Sequence, residues 1–310
     1  MTDKILIIGA CGQVGTDLTL ELHKTYGDNV VGSDIVQPVA ALQGIAYEKV
    51  NVMDAHGIAA IIDKHKITQV YHLAAVLSAK GEQNPLWAWR INMEGLINIL
   101  EIAKEKKLNK VFFPSSIAVF GNDAPKKNTP QNTPLNPSTI YGISKVAGEH
   151  WCQYFFDKYQ IDVRSLRYPG LISYKAQPGG GTTDYAVEIF YKAKQEGKYT
   201  CFLSENTALP MMYIEDAVQA TLKLMHADTQ NISVRTSYNV NGMTFTPKEL
   251  AQEITKHIPN FTIDYQPDFR QIIANSWTES LDDATAKNDW GWKPTYNLEK
   301  MTAEMLQNIR

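Results

Sequence analysis

The chain of 310 residues holds only three cysteines, Cys11, Cys152 and Cys201. They are odd in number, scattered and without metal-ligand spacing, which argues against a disulfide framework or a metal site and fits a reducing cytoplasm. An excess of either charge is also missing. Thirty Lys and Arg against 33 Asp and Glu leave a formal net charge of −3, too little to gather nucleic acid or an anionic membrane. No stretch approaches the ~20 apolar residues of a membrane helix, and the N-terminal apolar run is too short and too soon broken by glycine for a signal peptide. Internal repeats and low-complexity tracts are absent as well. What remains is a chain with 44% hydrophobic residues, long enough for one large domain plus an appended part.

The first informative segment is Gly9-Ala10-Cys11-Gly12-Gln13-Val14-Gly15. It follows Lys4-Ile5-Leu6-Ile7-Ile8, an apolar run suited to a strand buried on both faces, and opens into the helically spaced Thr16 to Leu22. Between a strand and a helix, one glycine serves the tight turn, one the approach of backbone to phosphate and one the packing of helix on strand. Backbone N–H groups and the helix dipole then meet a pyrophosphate. Asn29 to Asp34 reads as a second strand ending in an acid about twenty residues later, where a carboxylate accepts from the adenosine ribose. Asp34 repels a 2′-phosphate, so the expected cofactor is NAD rather than NADP.

Strand and helix signals then alternate. Ala46 to Val50, Gln69 to Leu73, Lys110 to Pro114 and Asp162 to Leu166 read as strands, with amphipathic stretches from Ile91 to Lys106 and Ser144 to Lys158. The expected fold is α/β, a doubly wound parallel sheet of Rossmann type with a smaller mixed C-terminal part. The expected division is a dinucleotide-binding domain over 1–170 and a substrate-binding part over 171–310, with a late strand near 237–240 returning to the first. The proline-rich piece from Pro125 to Pro137 is an extended loop, either a connector or a lid.

Tyr141-Gly142-Ile143-Ser144-Lys145 supplies the chemistry. Four residues apart on a helix, Tyr141 and Lys145 reach the same side, and the ammonium lowers the phenol pKa so that a phenolate can act as base toward an alcohol. Ser115 and Ser116 follow the Lys110 strand, at the carboxyl edge where ligands bind, and Ser116 can bond the substrate oxygen. Together with the glycine segment, these residues point to hydride transfer.

With these motifs the chain resembles the extended subgroup of the short-chain dehydrogenase/reductase superfamily, nearly end to end. The resemblance implies contacts to the cofactor from Gly9, Cys11, Gly12, Gln13, Val14, Gly15, Asp34, Tyr141 and Lys145. It also implies Asp54 beside the adenine, Leu73, Ala74 and Ala75 along the cofactor, and Leu171 at the nicotinamide. For Asn92 the resemblance implies that it holds a helix and relays water near Lys145. Asp54 has the alternative of capping a helix, and Leu73 to Ala75 that of plain core. A homodimer through a four-helix bundle is implied too, built on the apolar faces of 91–103 and 144–158; the alternative is that both faces are internal core.

Members of the subgroup that act on nucleotide sugars carry Asn-x-Tyr-Gly-Pro and an arginine before Tyr-Ile-x-x-x-Asp, both serving a diphosphate. Here the matching stretches are Pro169 to Ser173 and Leu209 to Asp216, without that asparagine or cation. A smaller substrate is expected. Val76 to Glu82, Gly179 to Ala186 and Asn275 to Trp277 with Leu281 to Asp283 resemble the short-chain L-threonine 3-dehydrogenases. That resemblance implies L-threonine as the small-molecule substrate, oxidised to 2-amino-3-oxobutyrate, which a partner ligase cleaves or which loses carbon dioxide to give aminoacetone. Ser78, Ser116, Tyr141, Thr182, Thr183, Asp184 and Trp277 are the candidate substrate contacts. Asp184 could instead cap the helix that follows, and Trp277 could be packing alone. Another small β-hydroxy acid is the nearest alternative substrate, and a nucleotide-sugar epimerase or dehydratase the next reading.

Overall fold

The computed structural model describes residues 3–175 and 177–309. Its strands are β1 (Ile5–Ile8), β2 (Val30–Asp34), β3 (Ala46–Lys49), β4 (Gln69–His72), β5 (Lys110–Ser116), β6 (Val163–Tyr168), β7 (Gly170–Ile172), β8 (Lys198–Cys201), β9 (Leu209–Tyr213), β10 (Tyr238–Asn239), β11 (Met243–Phe245) and β12 (Thr262–Tyr265). Its helices are α1 (Gln13–Tyr26), α2 (Ala55–His65), α3 (Ser78–Gln83), α4 (Pro85–Lys106), α5 (Ile140–Tyr159), α6 (Tyr185–Glu196), α7 (Ile214–His226), α8 (Pro247–Thr255), α9 (Phe269–Ser276), α10 (Ala284–Trp290) and α11 (Leu298–Asn308).

Seven strands form one sheet in the order β10-β6-β5-β4-β1-β2-β3, and every pairing within it is parallel. The alternation of a strand divides the central residues between two cores. Ile5 and Ile7 join a cluster with Leu18 and Leu22 of α1 and Ala217 and Leu224 of α7. Leu6 and Ile8 face Ile58 and Ile61 of α2, Leu96 and Ile99 of α4 and Phe155 of α5. Continuous apolar strands are what a sheet covered on both faces requires. The order reverses between β1 and β4, so a crevice opens at their carboxyl ends.

Two elements run longer than their sequence patterns suggest. Helix α5 begins at Ile140, ahead of the amphipathic stretch 144–158, because the Thr139 side chain accepts from the Gly142 N–H at 3.1 Å and caps it. Tyr141 and Lys145 therefore both lie within its first two turns. Strand β5 continues through Pro114 to Ser116, although proline lacks the ladder donor. Val111 donates to Asp162 on the β6 side, so by alternation Pro114 faces the β4 side. There β4 pairs only as far as Phe112, and the missing N–H costs no ladder bond.

The C-terminal half adds a three-stranded sheet, β11-β9-β7, and a parallel pair, β12-β8. The loop over 121–138 is tied to this half. Thr129 N–H donates to Ser280 O, Asp282 N–H to Thr129 O and Glu279 N–H to Lys126 O. Lys126 Nζ donates to the carbonyls of Asn275 and Trp277 at 2.7 and 2.9 Å. The proline-rich piece is thus a strap between the end of β5 and the segment that carries Trp277.

Candidate active site

The crevice at the sheet's carboxyl edge is a cleft of about 300 Å³. The glycine segment lines it through Gly9, Gly12, Gln13, Val14 and Gly15, the loop after β4 through Leu73, Ala75, Leu77 and Ser78, and the middle through Ser116, Tyr141, Lys145 and Leu171. Thr182, Thr183, Asp184 and Trp277 complete it. Residues up to 268 positions apart in sequence, Gly9 and Trp277, therefore share one space.

The glycine loop suits a pyrophosphate. Gly9 has φ +90°, and a Cβ there would sit 2.7 Å from the Ala74 backbone nitrogen. At Gly15 a Cβ would collide with the Gly9 carbonyl, whereas at Gly12 it would meet only that carbonyl, at 3.4 Å. Turn and packing thus fall to Gly9 and Gly15, and open space at the start of α1 to Gly12. Gly9 and Ala10 N–H groups both donate to Ser33 O at 2.9 Å, fixing the loop to β2. Asp34 ends β2 with one carboxylate oxygen accepting from Cys11 N–H at 3.1 Å and the other from Ile35 N–H at 2.7 Å. Lone pairs remain for ribose hydroxyls. Asp34→Ala is expected to weaken NAD about tenfold, from the loss of charged hydrogen bonds, and to narrow the preference over NADP. Side-by-side kcat/KM values for the two dinucleotides check this, and an unchanged ratio would place ribose recognition elsewhere.

Asp54 is the side-chain cap of α2, accepting from Gly57 N–H at 2.9 Å, and does not line the cleft. Asn92 is buried and accepts from Val76 N–H at 2.7 Å, while donating to Val76 O at 3.0 Å and to Ser144 Oγ at 3.2 Å. It joins the loop after β4 to α4 and α5.

At the centre, Lys145 Nζ donates to Pro114 O at 2.6 Å, the carbonyl left free by the strand's passage beyond β4. The contact depends on where β4 ends, and reading β5 as ending at Pro114 missed it. Burial brings the Lys145 ammonium down to about 7, against the pull of Cys152 and Glu149. Burial pushes the Tyr141 phenol up to about 12, while a hydrogen bond with the Ser116 hydroxyl acts in the opposite direction. Ser116 Oγ accepts from Ala118 N–H at 3.2 Å, which leaves its O–H to be donated. His72 is buried at the end of β4, and burial first, then Lys145, lowers it to about 3, so it is neutral.

In the roof of the cleft, Thr182 is buried and its Oγ1 has no hydrogen-bond partner among the described residues. The methyl of Thr183 packs on Gly170, where a Cβ would lie 2.7 Å from it. Asp184 does not cap α6 with its side chain. It turns back to accept from Gly181 N–H at 2.8 Å through one oxygen. Gly180 holds a left-handed φ of +90°, which only glycine adopts at little cost.

A parallel sheet with a glycine loop at its reversal point, and a Tyr and Lys on one helix beside a strand-end Ser, defines the dinucleotide-binding short-chain dehydrogenase/reductase class. The NAD dependent epimerase/dehydratase family matches residues 5–240, and the chain belongs to that family; its cofactor is NAD. A Staphylococcus haemolyticus protein named as an uncharacterized epimerase/dehydratase is 46% identical, over 99% of this chain and 98% of its own length. The GalE-like L-threonine dehydrogenase from Cupriavidus necator, in its holo form, superposes with a TM-score of 0.97 at 52% identity, covering 99% of this chain and 100% of that one. A monomeric L-threonine 3-dehydrogenase from a metagenome database, in its apo form, does so at 0.95 and 48%, covering 99% and 98%.

Proposed function

We propose that this protein oxidises L-threonine at its 3-hydroxyl to 2-amino-3-oxobutyrate, with residues 1–170 binding NAD and residues 171–310, less the returning strand, forming the substrate part. The observation that carries this reading is the unpartnered, buried Thr182 hydroxyl in the same cleft as Tyr141 and Ser116. A buried hydroxyl without a partner is costly, and a substrate carboxylate supplies one. Among the described residues that line the cleft, Lys145 is the one cation, which favours a small substrate over a sugar diphosphate. The likeness to named L-threonine dehydrogenases supports the same choice.

NAD, when bound, takes up the hydride from the substrate's Cβ. Tyr141, as phenolate, accepts the hydroxyl proton, and Ser116 donates to the same substrate oxygen. Lys145, when charged, favours the phenolate over the phenol. Thr182, aided by Ser78, binds the carboxylate, the second oxygen of Asp184 receives the ammonium, and Trp277 covers the methyl. Gly9 to Gly15, Asp34, Leu73 to Ala75 and Leu171 hold the dinucleotide; Asn92 fixes the loop beside it, and Asp54 lies toward the adenine.

Incubation with NAD and a panel of β-hydroxy acids and UDP-sugars, following reduced-cofactor absorbance, tests the reading; turnover of a UDP-sugar but not of threonine would overturn it. Thr182→Val is expected to raise the threonine KM about tenfold, by loss of a hydrogen bond to a charged group. The NAD KM should stay unchanged and the melting temperature should not fall, since no internal bond is removed. Equal threonine KM values would take Thr182 out of the site.

We also propose a homodimer through a four-helix bundle of α4 and α5. Trp87 and Trp89 on α4 and Ile143 and Tyr154 on α5 are exposed, more apolar surface than two isolated helix faces ordinarily leave to water. A monomer mass by light scattering at low micromolar concentration would contradict this.

A further inference from the structure

One buried carboxylate has no part in the chemistry described above. Glu149 lies on α5 one helical turn after Lys145, and both are buried. Residues four apart face the same side. Its Oε1 accepts from Ser115 Oγ at 2.6 Å and from Arg167 Nε at 3.0 Å, and its Oε2 from Arg167 NH2 at 2.8 Å. Ser115 precedes Ser116 on β5, and Arg167 precedes Tyr168 on β6. Arg167 in turn donates to Asn239 Oδ1 and Gln131 O. One carboxylate therefore joins the helix of Tyr141 and Lys145 to the strand of Ser116 and to the strand that leads to Leu171.

We propose that Glu149 is a positioning residue: its carboxylate, fixed between β5 and β6, holds Lys145 as the ammonium that Tyr141 needs. This rests on the reading of Tyr141 as the base. The groups that face Lys145 are Tyr141, Cys152 and Glu149 from α5 and His72 from β4. His72 is neutral, and burial raises the Cys152 thiol, so Cys152 is uncharged near neutral pH. Glu149 is then the remaining anion, and its field raises Lys145. Arg167, paired with Glu149, offsets part of that field. Without the carboxylate, Lys145 gives up its proton at lower pH than in the parent. The pair would deprotonate at lower pH, yet in the unproductive form, with phenol neutral and amine neutral.

Glu149→Gln preserves size and an acceptor for Ser115 while removing the charge. With lysine labelled at 13Cε, the Lys145 resonance, assigned by its loss in Lys145→Met, is titrated in the protein without cofactor. Its midpoint is expected about one pH unit below that of the parent. Turnover at neutral pH is expected to fall about tenfold, with the NAD KM within about twofold. Glu149→Asp keeps the charge and should keep the parent midpoint. Where the unpaired Arg167 unfolds the single variant, Glu149→Gln with Arg167→Met removes both charges, and a smaller downward movement is expected. A Lys145 midpoint that stays in place in a folded variant overturns the proposal, even if turnover drops, since a purely structural pair would behave that way. Full turnover in Tyr141→Phe would instead overturn the catalytic reading, which the midpoint measurement does not depend on.

Discussion

Tyr141→Phe is expected to lower the turnover of threonine roughly a thousandfold while the dissociation constant for NAD stays within about twofold, since loss of a general base costs about two to four orders of magnitude. The ring remains, so the packing of α5 against β5 is kept and only the phenolic oxygen is removed. The pH profile gives a second signature. In the empty site burial holds the phenol at about 12 and the ammonium beside it at about 7. Tyr141 must lose its proton to act and starts from about 12, so the parent's turnover should still be climbing with pH above 7, and the residual rate of the variant should lack that climb. A variant that retains most of its activity would show that the base lies elsewhere.

A smaller loss, of binding rather than chemistry, is expected from Gly15→Ala. Alanine is a better helix former than glycine by about 1 kcal/mol, and at an open position of α1 the change would stabilise. At Gly15 the added carbon would enter the Gly9 carbonyl and come within 2.9 Å of the Ala10 Cα. Both neighbours are backbone, held by the paired bonds to Ser33 O, so the helix must move instead. Overpacking of this kind costs about 1–3 kcal/mol, and a displaced helix terminus no longer faces the pyrophosphate. An increase of about thirtyfold or more in the NAD dissociation constant, with a lower melting temperature, is the expected outcome of titration calorimetry and thermal unfolding. Unchanged affinity would mean that the loop yields without disturbing the anion site.

The sheet was legible because continuous apolar runs of β-branched residues, such as Ile5 to Ile8, have no other use in a globular chain of this composition. The glycine spacing was legible because each position answers a steric demand visible in sequence. Boundaries were less so. Pro114 reads as a stop, and its tolerance depends on where the neighbouring strand ends, which is a property of register rather than of local sequence. The roof was harder still. Thr182 and Thr183 are equivalent on paper, and only packing against Gly170 separates the packed methyl of one from the unpartnered hydroxyl of the other. Asp184 likewise turned out to be committed at one oxygen to Gly181. The buried set Glu149, Arg167 and Asn239 gave no signal at all, since charged and amide residues in a helix or strand ordinarily read as solvated surface.

The short strand β10 has a bearing on how the molecule is made. It pairs with β6 through Tyr238 and Asn239, against Leu166 and Arg167, some seventy residues after β6 has left the ribosome. Until then the β6 edge is open, and Arg167 lacks its Asn239 partner while an unpaired strand edge invites other chains. The seven-stranded sheet therefore cannot be completed by the N-terminal portion alone, and its last step joins residues far apart in sequence, which is slow for an unfolded chain. A fragment ending soon after Tyr168 should behave as an aggregation-prone folding intermediate rather than as a free-standing nucleotide-binding module.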